Sequence, residues 1–137
     1  MIVRKTPSEL EKMRRSGLLV WEILNKLGGM CGEGANTMDL ENAALKMMDD
    51  AGAKPAFKNY YVPAAGERYR FAMCISVNDE IVHGMPSARR ILKSGDIVSL
   101  DTGVQLNGYF GDSAITVGVG EISEEARRLM QVTRESL

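Results

Sequence analysis

Two aspartates, Asp101 and Asp112, stand in strand-like runs on either side of Asn107 and Gly108. Paired carboxylates have three uses: they can share a divalent cation, divide the roles of general acid and base, or simply be solvated on an open sheet face. A two-residue turn at Asn107 and Gly108 pairs Leu106 with Tyr109, so that Gly103 faces Asp112 and Asp101 faces Ala114. Opposed residues share a face and side chains alternate along each strand, which makes the two aspartates diagonal neighbours on one side, roughly 7–8 Å apart at the backbone. The same count puts Val98, Leu100, Val104, Leu106, Ile115 and Val117 on the other face and surrounds the acids with Ser99, Gly103, Gln105, Ala114 and Thr116. Two ionised carboxylates so placed repel, whereas a divalent cation stabilises both. No accessory pair of sugar-stacking aromatics is evident, so metal binding is the specific reading preferred over glycoside hydrolysis. Beside it stands the reading as ordinary solvated residues.

His83 is the only histidine, which rules out a multi-histidine zinc site built from this chain alone. It lies in NDEIVHGMP, just before Gly84 and Pro86, where the chain must turn. Near the acid face it can bind a substrate or transfer a proton at neutral pH; away from it, it is structural. Two cysteines, Cys31 and Cys74, make no disulfide framework and read as reduced, with Cys74 a small hydrophobe in an apolar run.

The elements that must hold these residues are those of a single α+β domain, residues 1–137. An apolar content of 45% is enough for a modest core, and a net charge of −1 argues against a generally basic nucleic-acid surface. Uninterrupted apolar runs such as Leu18 to Trp21 are far short of the roughly 20 residues a membrane span needs, and the first ten residues hold no signal-like stretch. A soluble, cytoplasmic protein with no membrane partner is expected. Thr6, Pro7 and Glu9 form a capping box that opens a helix running to Leu27, with Leu10, Met13, Gly17, Leu18, Trp21 and Leu24 expected to face the core. The glycine-rich stretch 28–37 lacks the Gly-Lys-Ser/Thr ending of a phosphate loop and follows a helix, so it reads as a connection. It ends at Thr37, the expected N-cap of a second helix from Met38 to Ala51 with Leu40, Ala43, Ala44, Met47 and Met48 inside. Met13, Met38, Met47, Met48 and Met130 are explained by core filling. Residues 56–71 read as an extended loop, Met73 to Val77 as a strand, and Ile81 and Val82 as a resumed extended run. Ile97 to Leu106 and Tyr109 to Val119 are the best strands, and Ser123 caps a final amphipathic helix through Ile122, Ala126, Leu129 and Met130.

CISVNDEIVHGMP at 74–86 and GDIVSLDTGVQLNGYFGDSAITVGVG at 95–120, at their mutual spacing, closely resemble type I methionine aminopeptidases. The resemblance covers nearly the whole chain. It implies the N-terminal half of a pita-bread fold, two helices packed on an antiparallel sheet with a C-terminal helix. It also implies two divalent metal ions (Co, Mn, Fe or Zn) and hydrolysis of the peptide bond after an N-terminal methionine of nascent proteins. By the same resemblance Asp101 chelates one ion, Asp112 bridges both, and His83 contacts the substrate backbone and assists proton movement. Cys74 and Tyr60 match positions near the methionine pocket, although the loop from Phe57 to Cys74 is longer than the common bacterial pattern. The family's other ligands, one histidine and two glutamates, and its second substrate-contacting histidine belong to C-terminal motifs outside these residues; Glu121, Glu124, Glu125 and Glu135 do not occupy them. The chain by itself is therefore expected to bind metal weakly and to be inactive as a peptidase. The alternatives are a non-enzymatic peptide- or protein-binding half-fold and a homodimer in which a second copy covers the site face.

Overall fold

The computed structural model describes residues 4–137. Two long helices, α1 (Pro7–Gly28) and α2 (Thr37–Asp50), are followed by β1 (Lys54–Pro55), β2 (Tyr61–Val62), β3 (Glu67–Arg68), β4 (Met73–Val77), β5 (Ile97–Leu106), β6 (Tyr109–Gly118) and a last helix, α3 (Glu124–Glu135). β5 is the organising strand. It pairs antiparallel with β6 along its whole length, while β4 and β1 divide its other edge, opposite Val98–Thr102 and Val104–Gln105 respectively. Asn107 and Gly108 turn between β5 and β6 with φ of 52° and 83°, the left-handed pair that a two-residue hairpin loop demands.

One face of this sheet is the core. Val98, Leu100 and Val104 of β5 and Met73, Ile75 and Val77 of β4 are buried against α1 and α2, together with Leu40, Ala44 and Met48 of α2. The capping box at Thr6 and Glu9 opens α1 as its sequence predicts, with Thr6 Oγ1 accepting from Glu9 N at 3.3 Å. The inward face of α1, however, differs from expectation. Ser16, Leu19, Val20, Ile23, Leu24 and Leu27 are its buried residues, whereas Leu10, Met13, Gly17, Leu18 and Trp21 face outward, Trp21 being 62% exposed. Both stripes have helical spacing, so periodicity alone could not choose between them. Close approach to β6 decides the choice. Ser16 Oγ donates to Tyr109 O at 2.9 Å, and a Cβ at Gly111 would come within 2.6 Å of the Ser16 carbonyl.

Four further local expectations are corrected. Asn36, not Thr37, caps α2, its Oδ1 accepting from Met38 N at 2.7 Å; Thr37 is buried and exchanges two 3.0 Å hydrogen bonds with Ser87. Residues 56–71 contain a small hairpin, β2–β3, rather than only loop. Ile81 and Val82 form no strand and are exposed, because Asn78 and His83, with φ of 57° and 60°, take the chain out of extended geometry on either side. Finally, Met13 is exposed and fills no core, unlike Met48 and Met73. Ser123 caps α3 as expected, but no residue of that helix is fully buried, and Ala126 and Met130 are only half-buried.

Overpacking at the α1–β6 contact is the sharpest stability test of this arrangement. Gly111→Ala should cost about 1–3 kcal/mol in urea unfolding. Gly17→Ala, at an exposed helical site with open space around it, should be neutral or stabilising by up to about 1 kcal/mol.

Candidate active site

Asp101 and Asp112 fall on the sheet face away from the helices. Asp101 is opposed by Cys74 on β4 and Ala114 on β6, and Asp112 by Gly103, the register counted from the turn. Gly103 leaves room for its partner, since a Cβ there would lie 3.2 Å from Asp112 Oδ2 and 3.1 Å from both Ala56 and Phe57. The face around them is small and polar, with Ser99 Oγ and Thr116 Oγ1 hydrogen-bonded at 2.9 Å. Asp101 is half-buried and Asp112 exposed. Burial pushes the Asp101 carboxyl above its ordinary value of 3.8, the Asp112 charge pushes it further in the same direction, and His83 opposes both.

His83 reaches this face by a strained route. Its φ of 60° is left-handed, a conformation that a non-glycine residue keeps only where its surroundings enforce it. The enforcement comes from Gly84, which donates to Ser76 Oγ at 3.0 Å and accepts from Ile75 N at 2.8 Å. That apposition requires glycine, because a Cβ at position 84 would collide with the Ile75 carbonyl and lie 2.7 Å from Ser76 Cα.

A cleft of about 820 Å³ opens beside these groups, with Cys74, His83 and Asp101 among its lining residues and Phe57, Tyr60, Val62, Tyr69 and Met85 supplying apolar surface. Cys74 is buried and free, and burial is the main reason its thiol is held above the usual range. Tyr60 lines the same cleft but is 66% exposed. The tyrosine lying against Cys74 is Tyr69, which sequence reasoning did not single out. Its hydroxyl donates to Met73 O at 2.8 Å and interacts with the Cys74 thiol. Glu41 was likewise missed. This buried carboxylate of α2 accepts from Ala72 N at 2.7 Å and Met73 N at 3.0 Å, fixing the entry to β4. Its signal was an acid in the apolar stripe of α2, one residue after Leu40 and three before Ala44.

The donor set fits part of a divalent-cation shell. Two carboxylates on one face supply hard oxygen ligands, and the repulsion that raises Asp101 is relieved by a cation between them. Among the described residues no group of three or more His, Cys, Asp or Glu side chains is placed to hold a metal, so the set is a partial one.

Residues 11–137 match the family of proteins described as metallopeptidase family M24. The chain belongs to that family. Over 129 residues it is 46% identical to a methionine aminopeptidase of Aquifex aeolicus, covering 94% of this chain and 50% of the relative. Over 137 residues it is 44% identical to methionine aminopeptidase 1 of Bacillus subtilis, covering 100% of this chain and 52% of that protein. The crystal structure of methionine aminopeptidase from Thermotoga maritima matches at a TM-score of 0.90 and 42% identity, over 98% of this chain and 52% of that one. Aminopeptidase P of Escherichia coli, at 21% identity and a TM-score of 0.76, shares the fold. The chain thus spans about half the length of the curated relatives it matches, and its α+β architecture is that of half of the pita-bread fold. Membership of this metallopeptidase family implies divalent metal ions.

Removing one charge tests the electrostatics directly. In the metal-free chain, Asp112→Asn should lower the Asp101 titration midpoint followed by carboxyl NMR, while burial keeps it above 3.8. The sign for stability follows. A carboxyl with a raised folded value binds its proton more tightly folded than unfolded, so its contribution to stability falls as pH rises from 3.8 through the folded midpoint. The Asp112→Asn variant should lose part of that slope.

Proposed function

We propose that this chain is a single domain carrying the aspartate half of a metal-dependent aminopeptidase site, which in the complete protein removes the N-terminal methionine of nascent chains in the cytosol. The observation that carries the reading is the common face of Asp101 and Asp112, with His83 close enough to influence the Asp101 charge. Asp101 and Asp112 would hold the divalent metal, with Co, Mn, Fe or Zn as candidates. Bound there, divalent ions supply Lewis acidity for peptide hydrolysis.

The chain's own residues supply the rest of this half-site. His83, fixed by Gly84 against β4, presents its imidazole to the peptide backbone and assists proton movement there. The apolar cleft receives the methionine side chain, with Cys74 at its buried end and Tyr60 among its exposed lining residues. A cytosolic setting agrees with two free cysteines and with the lack, among the described residues, of a helix long and apolar enough to cross a membrane.

The partial donor set supports a second reading for these 137 residues taken alone: a peptide- or protein-binding half-fold, or a homodimer whose second copy covers the site face. Alone, the chain should bind Mn²⁺ weakly by calorimetry and show negligible turnover of methionyl peptides.

In the complete protein with Mn²⁺ or Co²⁺, Asp101→Asn and Asp112→Asn should each reduce methionyl-peptide hydrolysis to background. His83→Ala should lower it about 10²–10⁴-fold. Hydrolysis at wild-type rates by Asp112→Asn would contradict the ligand role. Failure of the complete wild-type protein to cleave any methionyl peptide would favour the binding reading.

A further inference from the structure

Among the described residues Glu41 is the only fully buried charged side chain, at 2% exposure, and it is not among the lining residues of the cleft. Taking a carboxylate out of water is strongly unfavourable unless donors occupy its oxygens. Here both oxygens are occupied: Ala72 N donates to Oε1 at 2.7 Å and Met73 N to Oε2 at 3.0 Å. Burial pushes the Glu41 carboxyl above its ordinary value of 4.5, and these two amides and the Lys58 charge offset only part of that rise.

The dipeptide that Glu41 holds is tied on every side. Ala72 O accepts from Thr102 Oγ1 at 3.1 Å and Met73 O from Tyr69 Oη at 2.8 Å. Both amides and both carbonyls are therefore bound by side chains, and these come from three separate segments of the chain. Two routes lead from this point to the site. Thr102, which opposes Met73, is the neighbour of Asp101 in β5. The Tyr69 hydroxyl also lies 3.4 Å from the carbonyl oxygen of Gly84, the residue after His83. The start of α2 grips the far side of the His83 loop as well, for Thr37 exchanges hydrogen bonds with Ser87 and Asn36 Nδ2 donates to Ala88 O at 2.7 Å. One helix thus holds the chain both before β4 and after His83.

We infer that Glu41 is a positioning residue for the cation seat of Asp101 and Asp112 and for His83, acting from the helix side of the sheet through Ala72 and Met73. It touches neither metal nor substrate. The inference rests on the metal-dependent aminopeptidase reading for the chemistry that Glu41 serves.

Glu41→Gln isolates the role. It keeps the size of the side chain but exchanges one acceptor oxygen for an NH₂ group, so one of the two amides loses its partner. In the complete protein, Mn²⁺ binding followed by the EPR signal of the free ion should weaken ~10-fold, and kcat for methionyl peptides should fall by a similar factor with KM little changed. All variants are compared where circular dichroism shows them fully folded. Ile23→Val, which trims a fully buried residue of α1 outside these hydrogen bonds, is the control for a merely structural loss and should leave Mn²⁺ affinity and kcat at wild-type values.

Wild-type Mn²⁺ affinity in folded Glu41→Gln overturns the inference. Thr102→Val carries the test if Glu41→Gln does not fold, because it removes the donor to Ala72 O with no change of charge and little change of volume. It should weaken Mn²⁺ binding several-fold, and unchanged affinity there overturns the inference too. A wild-type protein that binds Mn²⁺ but cleaves no methionyl peptide would contradict the aminopeptidase reading, while weaker Mn²⁺ binding by Glu41→Gln would still support the positioning role. Absence of Mn²⁺ binding by the wild-type protein overturns both.

Discussion

The antiparallel register of β5 and β6 is the constraint on which the site depends. With Asn107 and Gly108 both left-handed, Leu106 is locked to Tyr109, and every later pair follows by counting. A slip of one residue would send Asp101 or Asp112 into the apolar layer under α1, where an unpaired carboxylate is strongly destabilising. Burial of Val98, Leu100 and Val104 on the opposite side therefore fixes the aspartates outward as firmly as any direct contact with them would. The same register holds Ser99 beside Thr116 and leaves Gly103 as the clearance over which the Asp112 carboxylate sits.

The remaining groups reach that face through ties to β4. Glu41 of α2 satisfies the first two amides entering the strand, and Thr102 Oγ1 donates to Ala72 O at 3.1 Å, so helix and sheet clamp one point. From there Cys74 is set opposite Asp101, and Gly84, lying against Ile75 and Ser76, holds His83 in its left-handed conformation. The strain at His83 is local and is compensated by the hydrogen bonds of its neighbour. Packing energy in the core thus positions charged groups that would otherwise repel one another.

Much of this was legible in the sequence because it rests on short-range rules. The Asn-Gly turn, the alternation of β5 and β6, and the caps at Thr6 and Ser123 are decided within a few residues of chain. What was not legible depends on long-range choices. The two apolar stripes of α1 are equivalent in spacing, and only the close approach of Ser16 to Gly111, far apart in sequence, selects the inward one. Tyr69 and Tyr60 sit in the same ambiguous stretch, and the hydrogen bond to Met73 O that separates them is a tertiary contact. The exposed turn at Ile81 and Val82 defeated an extended reading because apolar residues there are held out by left-handed neighbours.

The central claim is that Asp101 and Asp112 form one cation seat. Its most direct test is a Mn²⁺ titration of the chain followed by paramagnetic broadening of the Asp101 and Asp112 NMR signals. A common midpoint for both residues, lost at both positions when either is changed to Asn, is the predicted result. Broadening at Asp112 with an unchanged midpoint in Asp101→Asn would contradict it.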